Sequence, residues 1–67
     1  MRPRLQVEER VHIDADHPEW GRVASDATVV AVPPDVPAGW FLVLADSVRA
    51  NIMVRASEVG RRIGEGD

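Results

Sequence analysis

The chain has 67 residues, no cysteine and a formal charge of −3. A chain of that length holds one domain, and the lack of thiols excludes disulfides, thiolate metal sites and a cysteine nucleophile. All eight basic residues are arginine, so a Schiff-base or P-loop lysine is excluded as well.

The longest apolar run, 40–45, is far shorter than the roughly 20 residues that span a bilayer. The charged N-terminus is not followed by an apolar segment, so no signal peptide is expected and the predicted location is cytoplasmic. A core in a chain below about 70–80 residues rarely supplies more than ~3–5 kcal/mol without a staple. Unusually good packing or self-association is expected to make up the difference.

In chain order, residues 1–9 are polar, with Pro3 and only Leu5 and Val7 apolar, and read as a frayed arm able to add to a sheet. Residues 10–14 alternate, with Val11 and Ile13 on one face and His12 on the other, which predicts a half-buried strand. Residues 14–26 are rich in acids and contain Pro18 and Gly21, and they read as one long structured loop. The valine-rich stretch 27–32 is the strongest strand signal. Pro33, Pro34, Asp35, Pro37 and Gly39 form a stiff connection. A second strong strand covers 40–45, a polar turn 46–51, and a third strand 51–56. Residues 56–59 predict one tight helical turn that Ser57 can cap, 61–63 a last short strand, and 64–67 a tail. The expectation is an all-β fold: one domain over 1–67, a five-stranded, partly open barrel with a short helical turn before the last strand.

From Val11 to Ile63 this layout resembles the SH3-like small β-barrel superfamily, a likeness of layout that implies a fold and not a function. SH3 domains bind Pro-rich ligands through an aromatic groove and an acidic first loop. Here Asp14, Asp16 and Glu19 make the first loop acidic, and Gly39-Trp40 sits where that family has its groove tryptophan. Arg55-Ala56-Ser57-Glu58 replaces the family's Pro-Ser-Asn-Tyr stretch, so the groove aromatics are missing. KOW-type barrels are similar in the run Gly21-Arg22-Val23 before a valine-rich strand, but Glu19, Asp26 and Asp35 stand where their loops are basic. Type II dihydrofolate reductases carry a Val-Gln-Ile-Tyr pore strand where this chain has Asn51-Ile52-Met53-Val54. Their activity is not carried over; their precedent of a barrel that works as an oligomer is.

His12 and His17, with Asp14 and Asp16, are the only residues spaced for a metal, and they lack a third strong ligand; no metal or cofactor is expected. Ser25, Ser47, Ser57 and Thr28 lack a nucleophile context, so no catalytic residue is assigned. Arg49, Arg55, Arg61 and Arg62 face only Glu58 between residues 47 and 63, a formal +3, and form a possible anion patch. Trp40 is expected in the core. Trp20, beside Asp14, Asp16 and Glu19, is expected to anchor a partner, because tryptophan is enriched at binding hot spots.

The 40–45 strand is apolar on both faces, and Val29, Phe41, Val43 and Met53 are expected to need a second cover. The reading is a non-enzymatic protein–protein interaction module or accessory subunit that self-associates and also engages an unidentified protein. Nucleic acid and membrane are not expected partners, given the net negative charge. The alternatives are a KOW-like nucleic-acid or ribonucleoprotein-associated protein using the arginines, and a small oligomeric enzyme with an interface active site.

Overall fold

A computed structural model describes residues 5–63 of the chain. The expected 64–67 tail and the first four residues of the expected arm lie outside them. Five strands, β1 (Arg10–His17), β2 (Gly21–Ala31), β3 (Trp40–Ala45), β4 (Ala50–Arg55) and β5 (Val59–Arg62), follow in sequence, with a 3₁₀ turn (Ala56–Glu58) before β5. All neighbours are antiparallel, in the order β4-β3-β2-β1-β5. The protein is therefore all-β, and because β4 and β5 do not pair the sheet is only partly closed. Among the described residues no helix is long and apolar enough to cross a membrane.

The predicted long loop at 14–26 is instead a hairpin. β1 and β2 stay in register from Arg10↔Thr28 to His17↔Gly21, leaving only Pro18, Glu19 and Trp20 outside the ladder. Gly21 adopts φ +71°, a left-handed value that glycine reaches without a Cβ clash and that the turn requires. Strict alternation explains the pairing: Ala15, Val23, Ser25 and Ala27 are buried, while Asp14, Asp16, Arg22 and Asp26 face water.

The 40–45 strand matches its expected bounds. The last strand begins at Val59, earlier than expected, directly after the 3₁₀ turn. Ser57 does not cap that turn; the Glu58 carboxylate accepts the Arg55 N–H at 2.8 Å instead. The arm joins the sheet as anticipated, with the Glu8 N–H donating to Val29 O (2.7 Å) and the Val29 N–H donating to Glu9 O (2.9 Å).

The core consists of Val11, Ile13, Ala15, Val23, Ala27, Val29, Val43, Ala45, Ile52 and Val54. No aromatic ring is in it. Trp40, expected inside, is half-buried on the other face of β3. Val29 and Val43, expected outside and in need of cover, are fully buried within the single chain, and Phe41 packs half-buried against the core margin. The register gives the reason: Val43 lies between Val29 and Ile52, both inward. Of that expected set only Met53 faces out.

Three arginine- or histidine-centred clips cross the outer face of the β1–β2 half. Arg10 makes two bonds to the Asp46 carboxylate (2.7 and 3.1 Å) and one to Thr28 Oγ1 (2.9 Å). Arg22 grips Asp14 at 2.7 and 2.9 Å, and His12 Nδ1 lies 3.0 Å from Asp26 Oδ1.

The hydrogen bonds from Arg22 and Arg10 hold the Asp14 and Asp46 carboxyls below their ordinary range. A carboxyl depressed on folding adds stability above its unfolded pKa of about 3.9, and that stability is lost as pH falls through the folded value. The melting temperature is therefore expected to drop below about pH 4. Asp46→Asn should flatten part of that drop, as read by circular dichroism melts across the pH range.

Candidate interaction surface

The outer face of the sheet divides sharply. Over β1 and the first half of β2 it carries the paired charges just described. Over the end of β2, β3 and β4 it is apolar: Leu44 is 40% exposed, Val30 39% and Met53 36%, with Leu42 and Trp40 half-exposed among them. These residues are neighbours by register, since Leu42 lies opposite Met53 and Trp40 opposite Arg55. Val30 is the extra residue of a bulge, because Val29 pairs with Val43 and Ala31 with Leu42. The Arg55 guanidinium stands 5.1 Å from the Trp40 ring centroid, a cation–π contact at the patch edge.

The expected partner-binding residues sit at the far end of the β1–β2 hairpin. Asp14 and Asp16 point outward from β1, while Glu19 and Trp20 form the tip. Asp14 is neutralised by Arg22, so Asp16 and Glu19 carry the remaining negative charge there. The Glu19 N–H donates to His17 Nδ1 at 3.1 Å, which orders the tip.

Trp20 is 46% exposed and absent from the core. Trp20→Ala is accordingly expected to cost no more than about 0.5 kcal/mol, the range of surface substitutions, against the ~3–5 kcal/mol of a core aromatic. A thermal melt of the variant separates the two.

The four arginines of the expected anion patch are spread over three elements. Arg49 is in the β3–β4 turn with φ +53°, Arg55 stacks on Trp40, and Arg61 and Arg62 belong to β5 at the opposite sheet edge. Arg62 bonds Glu9 at 3.0 Å, tying β5 to the arm. A cleft of about 730 Å³ opens where β5 meets the β2–β3 connection, lined by Leu5, Val32, Phe41, Val59 and Arg61 among others.

Two features escaped the sequence reading. One is the identity of the apolar outer face, for which the sequence holds no signal because both faces of β3 are apolar. The other is the cleft, which depends on the arm and β5 meeting in space. No family model, curated protein or solved structure matches the chain.

Proposed function

We propose that this chain is a small SH3-like interaction module that self-associates through the outer face of β2, β3 and β4. A meander of four strands, a 3₁₀ turn and a fifth strand returning to β1 supports the SH3-like reading. The observation that carries the function is the contiguous patch of Val30, Leu42, Leu44 and Met53 on a sheet whose own core is already filled.

Contiguous exposed apolar side chains rimmed by polar groups mark interaction sites, whereas single exposed ones carry no such meaning. Here the rim is Thr28, Asn51 and Arg55 on the same face. A chain this small is also short of buried area, so covering the patch supplies stability the lone sheet lacks. The hairpin tip, with Trp20 between Glu19 and Gly21, is left free for a second protein carrying an apolar group flanked by cations.

Trp40 reports on this directly. In a Trp20→Phe background, association is expected to shield Trp40 from iodide and shift its emission to the blue, and dilution to reverse both. Quenching that is unchanged over a dilution series from high to low concentration would contradict the proposal.

A further inference from the structure

We infer that the assembly proposed above, on which this inference rests, contains a second contact beside the covered outer face, at the free edge of β4: two β4 strands pair antiparallel across a two-fold axis at Met53. The two edges of the sheet are β5 and β4. They are not equivalent. β5 has four residues, includes Gly60, Arg61 and Arg62, and faces a register shift in β1 between His12 and Ile13. Short length, charge and irregularity are the devices that keep an edge from pairing with other chains. β4 has six residues, Ala50–Arg55, in unbroken register with β3 and with no proline, glycine or inward-facing charge.

The hydrogen-bonding groups of that edge follow from the register. The Ala56 N–H donates to Gly39 O at 3.0 Å, one step beyond the Trp40↔Arg55 pair. Antiparallel pairs alternate between those that exchange hydrogen bonds and those that do not. Val54, Ile52 and Ala50 therefore direct their backbone groups to β3, and Asn51, Met53 and Arg55 direct theirs to the open edge. The Arg55 N–H is already held by Glu58 Oε1. The N–H and C=O of Asn51 and Met53, and the Arg55 C=O, face the side of β4 on which no strand pairs among the described residues.

Only some registers suit a second copy. Inner and outer faces match only when the paired residue numbers sum to an even value. Centring on Ile52 sets Asn51 against Met53 and brings Arg49 opposite Arg55, a like-charge pair that destabilises. Centring on Val54 sets Met53 against Arg55 and requires the Arg55 N–H that Glu58 occupies. Centring on Met53 avoids the arginine pair and, although its Asn51–Arg55 pairs also lack the Arg55 N–H, keeps four bonds between the copies against two for the Val54 centre. The two Met53 residues exchange a pair of hydrogen bonds, and each Asn51 N–H donates to the Arg55 C=O of the second copy. Asn51 then faces Arg55, Ile52 faces Val54, and the two apolar outer faces become one surface.

The chain has no cysteine, so Met53→Cys carries the only thiol. Opposed residues of a hydrogen-bonded antiparallel pair have Cα atoms about 5.5 Å apart, inside the about 4.4–6.8 Å that a disulfide spans. Thiols so placed meet at millimolar effective concentration, so oxidation of a ~100 µM sample should cross-link Met53→Cys about tenfold faster, or more, than Asn51→Cys.

Because a cysteine can disturb an edge, amide hydrogen exchange of the unsubstituted chain serves as the second measurement. The Met53 N–H should be protected at high concentration and lose that protection on dilution. An associated chain in which Met53→Cys links no faster than Asn51→Cys, with the Met53 amide unprotected, would overturn the edge pairing and leave the proposed self-association standing. A chain that stays single at every concentration would overturn both.

Discussion

Ile13→Ala is expected to unfold most of the protein at 37 °C. Ile13 has no exposed surface and sits on β1, the strand that joins β2 to β5, opposite Ser25 on one side and Val59 on the other. The core is built of five valines, three alanines and two isoleucines, so each isoleucine is a large part of its volume. Removing a buried isoleucine to the β-carbon costs about 2–5 kcal/mol, because the site collapses only partly around the cavity. A core in a chain of this size supplies only about 3–5 kcal/mol in all. Ile13→Val, at about 0.5–1.5 kcal/mol, should leave a cooperative transition shifted down by roughly 4–8 °C per kcal/mol. Circular dichroism melts of the two variants check the pair, and an Ile13→Ala melt within a few degrees of the parent would place Ile13 outside the core.

Leu44→Arg is expected to act in the opposite way, with little change in the fold and a large one in assembly. Leu44 lies on the outer face between Thr28 and Asn51 and is already 40% exposed, so arginine there meets water in the single chain. In a two-fold assembly each substitution is present twice. Fully covering a leucine side chain contributes about 1.5–3 kcal/mol, so covering the 40% of Leu44 still exposed contributes about 0.6–1.2 kcal/mol, and losing two removes about 1–2.5 kcal/mol, roughly 10–60-fold in the dissociation constant before the cost of burying two arginine charges is added. Sedimentation of parent and variant at matched concentration measures the shift, and a melt of the variant under dilute conditions confirms that the sheet persists.

The two variants also mark where the sequence was legible. β3 reads directly because 40–45 is an unbroken apolar run flanked by Gly39 and Asp46. The outer halves of β1 and β2 do not, because Val23 is their one large inward residue beside the small Ala15 and Ser25, while Asp14, Asp16, Arg22 and Asp26 give the stretch the composition of a loop. What makes it a hairpin is pairing: the Arg22–Asp14 ion pair and the His12–Asp26 hydrogen bond give partners to side chains that look loop-like one at a time.

The excess of apolar surface was legible, but its location was not. Phe41, Val43 and Ala45 on one face of β3, and Trp40, Leu42 and Leu44 on the other, are equally apolar in the sequence. Only the alignment of Val43 with Val29 and Ile52 decides which set is inside. Trp20 was placed in a polar segment by its neighbours and is found exposed at the tip, now of a tight turn instead of a long loop.

The proposed cover for the apolar outer face is a second copy of the chain. Light scattering coupled to size exclusion, on the intact chain at about 100 µM, tests it most directly, since a stable interface with a micromolar dissociation constant is then almost fully formed. The expected mass is that of two chains or more, falling toward one chain on dilution. A mass of one chain at that concentration would contradict it.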